Sequence, residues 1–268
     1  MRVPGLAPSR KTKVAREYLC ELVFRPLAHL VVVPLLPLRV PPPAVAASAG
    51  LAGIAAAVEL ARGHAIVAAL VLQLKTVLDN ADGQLARLSG RVTVFGRYLD
   101  SELDLFVNAG LFAAAGFAAG SWALPGAGFL AVTFVLSANF NAERLYKLER
   151  GVAAVGMPEA TGRADRLLRG VYVALYAPQD RLIGAFVERR LRGSDERARL
   201  AYHDRATVAV LANLGMTTQL AAFGVCMALG HPLAFAWLAL GELGLVGLLA
   251  LRRELLARLV PEPKEETS

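Results

Sequence analysis

Apolar residues fall in long blocks along this chain, not at the alternating spacing of a half-buried sheet. Six blocks approach the ~20 residues that carry a helix across a bilayer. They run Pro43–Ala61, His64–Leu85, Gly96–Ala119, Trp122–Leu145, Ala206–Leu229 and Pro232–Leu251. Ala, Leu, Gly and Val dominate them, the small-residue composition of closely packed membrane helices. Gly63, Gly120 with Pro125, and Gly230 with Pro232 mark three tight turns. Ahead of the blocks, residues 9–24 set Val14, Tyr18, Leu19, Leu22 and Val23 at helical spacing among Arg10, Lys11, Lys13 and Arg16. That pattern predicts a basic amphipathic helix lying in the membrane interface. Leu27 to Pro43 is interrupted by Pro34 and Pro37 and is predicted to run, broken, along the membrane surface. No cleavable signal peptide is expected, because the first apolar run, Leu27–Leu38, is only 12 residues long and no small-residue cleavage pattern follows it.

Residues 144–205 are arginine-rich and too polar to span, with short amphipathic helices predicted around Arg166–Tyr176 and Asp180–Leu191. The expected fold is all-α: a polytopic membrane protein of six transmembrane helices with an N-terminal interfacial helix. It divides into an N-terminal segment (1–42), a membrane domain (43–256) with a cytoplasmic or interfacial excursion (146–205), and a solvated tail (257–268).

Composition agrees with this pattern. The chain is 56% hydrophobic, where a soluble domain runs at roughly 45–50%, and its mean hydropathy is +0.48. A net charge of +7 suits nucleic acid or an anionic membrane surface; the hydropathy selects the membrane, and no nucleic-acid partner is expected. With the N-terminus placed in the cytoplasm, only Arg62 of the 29 Lys and Arg residues falls outside, and Lys75 lies within the second span. The positive-inside rule then predicts both termini in the cytoplasm, as in a bacterial-type inner membrane. Cys20 and Cys226 are too far apart in sequence to suggest a metal motif and read as packing residues.

The chemistry concentrates in residues 77–104, VLDNADGQLARLSGRVTVFGRYLDSELD. Asp79 and Asp82 are three apart near the inner end of the second span; Asp100 and Asp104 are four apart near the inner start of the third. Such spacings place each pair on neighbouring positions of a helix. The turn around Ser89–Gly90 lets the two helices run antiparallel, so that all four carboxylates converge. Charges buried in a membrane are costly. A pair of Mg²⁺ or Mn²⁺ ions would neutralise them and clamp the oxygens of an in-line phosphoryl displacement. Gly83, Ala86 and Gly96 leave room for a flat or bulky ligand, and Arg87 can contact phosphate in bidentate fashion. The plainer alternative is a set of solvated helix-end charges paired with Arg87, Arg91 and Arg97.

The order Asp79-x2-Asp82-Gly83-x2-Ala86-Arg87-x8-Gly96-x3-Asp100-x3-Asp104 resembles the signature of the CDP-alcohol phosphotransferase family, eight positions over 26 residues. The resemblance implies transfer of a substituted phosphate from a CDP-linked donor, usually CDP-diacylglycerol, to an alcohol, with release of CMP. By the same resemblance Asp79, Asp82 and Asp100 bind metal. Asp104 completes the metal shell or deprotonates the acceptor hydroxyl, while Gly83, Ala86, Arg87 and Gly96 form the cytidine diphosphate pocket. A homodimer is also implied. One departure stands out: family members often carry Pro-Asn-x-x-Thr at the first span, where this chain reads Pro43-Ala44-Val45-Ala46-Ala47 with Ser48 the nearest hydroxyl.

An acceptor such as glycerol phosphate or inositol phosphate needs cations, for which Arg91, Arg144, Lys147 and Arg205 are candidates, though each also reads as an ordinary positive-inside anchor. Glu242 lies mid-span and needs a partner, Asn213 or Gln219. Asn108, Asn139 and Asn141 read as interhelical hydrogen bonders, the four histidines as structural, and Gly116-x3-Gly120 has the spacing of a helix-packing motif. Two rivals use the same acidic residues. A prenyltransferase normally keeps its acidic motifs in two distant stretches, and a divalent-cation transporter needs an acidic path across the membrane. Neither matches the single cluster here. A pseudoenzyme scaffold fits poorly with a complete signature.

Overall fold

A computed structural model describes residues 13–152 and 176–260, with residues 162, 166, 170 and 173 between them. Among these the regular elements are helices. A π turn, Cys20–Phe24, leads into α1, Arg25–Leu35. Then come α2, Pro42–Ala61; α3, Ala65–Leu88; α4, Val94–Ala119; and α5, Ala123–Leu148. After the excursion come α6, Ala177–Arg190, α7, Glu196–Tyr202, α8, Arg205–Ala212, and α9, Met216–Ala228. The last is α10, Ala234–Arg258.

Among the described residues, five stretches are long and apolar enough to cross a membrane: α2, α4, α5, the run 196–228 and α10. The sixth helix of the bundle, α3, has 24 residues, about 36 Å at 1.5 Å per residue. It is less apolar because it carries Lys75, Asp79, Asp82 and Arg87, and it packs against α1, α2 and α9. The protein is thus an all-α membrane protein of the expected class. The largest core cluster joins Leu72, Leu111, Phe112, Leu220, Phe223 and Phe235 from four helices, with Phe223 and Phe235 stacked at 4.5 Å between ring centroids.

Glycines set the closest helix contact near the site. A methyl group at Gly50 of α2 would stand 2.8 Å from Leu103 Cδ2 of α4, and one at Gly53 would press on both Val107 methyls. Gly116-x3-Gly120, by contrast, does not pack two helices together. Gly120, at φ 62°, is the left-handed cap of α4, and Ser121 N donates to Gly116 O at 3.1 Å, closing the helix end.

Three expectations change. Residues 13–17 are not helical; helix begins at Tyr18, and residues 1–12, with Arg10 and Lys11, lie outside the described residues. Pro34 does not break the next stretch: α1 runs through it, anchored on α3 by Gln84 Nε2 donating to Arg25 O at 3.0 Å, while the Arg25–Glu21 ion pair at 2.6 Å ties its first turn to the preceding π turn. The fifth span is two helices, broken at Asn213–Gly215. Asn213 Oδ1 accepts from Tyr18 N at 2.9 Å and its Nδ2 donates to Arg16 O at 3.0 Å, so the N-terminal segment docks into the break.

In the excursion, α6 matches the expected Asp180–Leu191 helix, while most of Arg166–Tyr176 lies outside the described residues. The excursion is pinned to the ends of α5 and α10. Arg190 forms a bidentate pair with Glu254, both contacts 2.7 Å, and Arg199 pairs with Glu149 at 2.7 Å. The Arg199 guanidinium beside Glu149 holds its carboxyl below the usual carboxylate range. Val187, Leu191 and Tyr202 make a small core underneath. As expected, Glu242 is partnered by Gln219, whose Nε2 donates to it at 2.5 Å.

Because α2 and α4 meet through glycine, Gly53→Leu is expected to lower stability by about 1–3 kcal/mol through overpacking. Thermal unfolding of the detergent-solubilised protein reads this as a lower melting temperature, whereas an unchanged melting temperature contradicts the contact.

Candidate active site

The segment 89–93 that joins α3 to α4 is short, yet the two helices make almost no close backbone contact with each other; α2 packs along both. They splay from their common turn, where Gly90 adopts φ 67°. Thr93 caps α4: its hydroxyl accepts from Gly96 N at 3.0 Å. A methyl at Gly96 would lie 3.1 Å from that same Thr93 oxygen, so glycine here lets the cap close and sets the first turn that leads to Asp100.

Asp79 of α3 and Asp100 and Asp104 of α4 each present a carboxylate oxygen, all within 4.8 Å of one another. All three are half-buried. Asp82 is not in this trio. A three-residue step turns it about 60° from Asp79 around α3, and it is 8% exposed. The oxygens that come within 4.8 Å of one another are thus those of Asp79, Asp100 and Asp104, with Asp82 on the adjacent face of the same helix.

Lys75 completes the cluster. Its side chain, 1% exposed, donates from Nζ to Asp79 Oδ1 at 2.8 Å and also to Asp104 Oδ1. In the sequence this residue reads as a lone cation within a span. The signal was present: a basic residue four positions before Asp79, at ion-pairing distance on a helix.

Arg87 folds back over Gly83. A methyl there would stand 3.2 Å from Arg87 Nη1, so glycine makes room for the guanidinium beside the aspartates' helix face. Ala86 is half-buried in the same turn. The opposite face of α3 is structural: Cys20 Sγ donates to Asn80 Oδ1 at 3.2 Å, and Asn80 Nδ2 donates to Thr76 O at 2.9 Å.

Two of the four acceptor-site candidates have partners elsewhere in the protein. Arg91 Nη1 donates to Arg39 O at 3.4 Å, and Lys147 is paired with Glu143 at 2.6 Å. Arg144 and Arg205 are exposed. Among the described residues, no recorded hydrogen bond or ion pair links any of the four to the aspartates. Ser48 is exposed and donates to Ala44 O of its own helix at 2.9 Å. Asn108 Nδ2 donates to Met216 Sδ at 3.3 Å and Asn141 Nδ2 to Asp180 at 2.7 Å, both bonds between helices.

The family model described as CDP-alcohol phosphatidyltransferase matches residues 42–185, more than half of the chain. The chain belongs to the CDP-alcohol phosphatidyltransferase family. Among curated proteins, none matches it. The matched segment starts at the first residue of α2 and contains α3, α4, α5 and part of α6, so every residue of the aspartate trio lies within it. CDP-alcohol phosphatidyltransferases move a phosphatidyl group from a CDP-alcohol in a membrane lipid environment and use divalent metal. The donor set of this chain fits that use: three convergent carboxylates from two helices are hard oxygen ligands of the type that divalent cations take.

Since Thr93 holds the first turn of α4, Thr93→Ala is expected to cost about 1 kcal/mol of stability. The melting temperature should fall modestly; a larger loss than Gly53→Leu causes would contradict a purely local cap.

Proposed function

We propose that this protein transfers the phosphatidyl group of CDP-diacylglycerol, or the equivalent group of another CDP-alcohol, to an alcohol acceptor in phospholipid synthesis, releasing CMP. The observation that carries the reading is the convergence of Asp79, Asp100 and Asp104 inside the segment that matches the family.

In this reading Asp79, Asp82, Asp100 and Asp104 hold two divalent cations, Mg²⁺ or Mn²⁺. Asp82 joins the other three from the adjacent face of α3. When bound, these ions supply neutralisation of the diphosphate and of the departing CMP. The cytidine diphosphate lies along Gly83, Ala86, Arg87 and Gly96, with Arg87 gripping phosphate oxygens through its fork. Asp104, with Asp100 beside it, takes the proton of the acceptor hydroxyl. The acceptor oxygen then bonds to the phosphorus that carries the diacylglycerol, the bond from that phosphorus to the bridging oxygen breaks, and CMP leaves with those electrons. The splayed α3 and α4 leave an opening for a donor whose acyl chains stay in the bilayer.

The acceptor is a small alcohol, glycerol phosphate or inositol phosphate among the candidates, with Arg91, Arg144, Lys147 and Arg205 as the cations available to a phosphorylated one. The catalytic unit is the membrane domain 43–256, with 1–42 as its interfacial anchor and 257–268 as a tail. The arginine bias supports a bacterial-type inner membrane with the aspartates on the cytoplasmic side, and the family resemblance supports a homodimer. A prenyltransferase or a cation transporter gives no reason for the family match.

The test is CMP release by the purified protein from CDP-diacylglycerol across a panel of alcohols, with Mg²⁺ and with chelator. Metal-dependent release stimulated by one alcohol is expected. Asp104→Asn should reduce it by at least roughly 10²-fold, the usual range for loss of a general base. Release that is unaffected by chelator, or undiminished in Asp104→Asn, would overturn the proposal.

A further inference from the structure

A cation in direct contact with the aspartate trio is Lys75. It lies on α3 one turn before Asp79, deeper along the helix, and is 1% exposed. Its ammonium bridges Asp79 of α3 and Asp104 of α4. These two helices have almost no close backbone contact of their own. Burying an ammonium on a membrane helix is costly unless carboxylates pair with it, and pairing two carboxylates at once satisfies both sides. The ammonium thus engages lone pairs of two of the three carboxylates that converge within 4.8 Å. A divalent cation held by the same oxygens needs the same lone pairs.

We propose that Lys75 is a positioning residue that stands in for metal in the metal-free site. It holds Asp79 and Asp104 together across the splayed helices, and it yields at least one carboxylate oxygen when a divalent cation binds. The inference rests on the reading of the aspartates as a metal site and adds to it a built-in competitor. Two consequences follow from the chemistry. Without metal, Lys75 offsets the repulsion between carboxylates that would otherwise push α3 and α4 apart. With metal, its displacement lowers the affinity that the carboxylates alone would have. A residue that merely filled space would do neither, and one that only strengthened the metal site would do the opposite of the second.

The experiment is a Mn²⁺ titration of the full-length protein in detergent, following free Mn²⁺ by electron paramagnetic resonance, with thermal unfolding measured on the same samples. The variants are Lys75→Met, which keeps the aliphatic stem and removes the charge, and Lys75→Arg, which keeps the charge. Lys75→Met is expected to bind Mn²⁺ at least roughly tenfold tighter than the parent, as loss of a competing charge at contact distance implies. Metal-free, it should melt lower than the parent, and Mn²⁺ should raise its melting temperature by more. Lys75→Arg should stay near the parent in affinity. If the parent binds Mn²⁺ and folded Lys75→Met binds it equally or more weakly, the stand-in role is overturned while the metal site survives. If neither binds Mn²⁺, the metal reading itself falls, and this inference with it. Should Lys75→Met not be recovered folded, Lys75→Gln is purified with Mn²⁺ present throughout. Recovery that depends on Mn²⁺ supports the role, because metal then supplies the missing charge; failure in Mn²⁺ as well overturns it.

Discussion

Three carboxylates held within 4.8 Å of one another at the end of a membrane bundle repel each other, and the surrounding structure has to answer that repulsion. Lys75 does so directly, from a buried position, by engaging one carboxylate on each of two helices. The rest of the local architecture serves the same end. α2 packs through Gly50 and Gly53 against α4 and also lies along α3, so it fixes two helices that scarcely touch each other. The short turn at Gly90 ties their ends, and the Thr93 cap sets the first turn of α4. What results is a trio of carboxylates held where two helices meet at a short turn, with α2 fixing both.

The elements outside the matched family segment brace this arrangement. The N-terminal segment reaches the break between α8 and α9 through Asn213, while α1 rests on α3 through Gln84. The arginine-rich excursion is tied to the ends of α5 and α10 by Arg190–Glu254 and Arg199–Glu149. Individually such partly exposed pairs contribute little, typically under about 1 kcal/mol. Together they define where the polar stretch sits. They also commit two of its arginines, Arg190 and Arg199, to protein carboxylates.

Most of the fold was legible because membrane spans announce themselves by length and apolarity. The ends of α2, α3, α4 and α5 lie within a few residues of the blocks read from the sequence, and Gly63, Gly120 and Gly230 do form left-handed turns. The break in the fifth span was hidden, because apolar residues continue across it and its cause, the docking of residues 16–18 on Asn213, is a contact nearly 200 positions distant. The helical passage through Pro34 was hidden for a similar reason, as packing on α3 overrides local preference. In the site, the aspartates were legible from spacing and motif. Which oxygens come within 4.8 Å of one another was not, since that depends on how α3 and α4 are placed about their turn. Lys75 escaped notice because hydropathy treats a single cation as noise in a span; only its register with Asp79 gives it meaning.

The metal site proposed at Asp79, Asp100 and Asp104 is tested most directly by anomalous diffraction from crystals grown with Mn²⁺. The account predicts an anomalous peak coordinated by carboxylates of both α3 and α4, with the trio among its ligands. A peak bound elsewhere, or none at the trio under Mn²⁺ concentrations that support turnover, would contradict it.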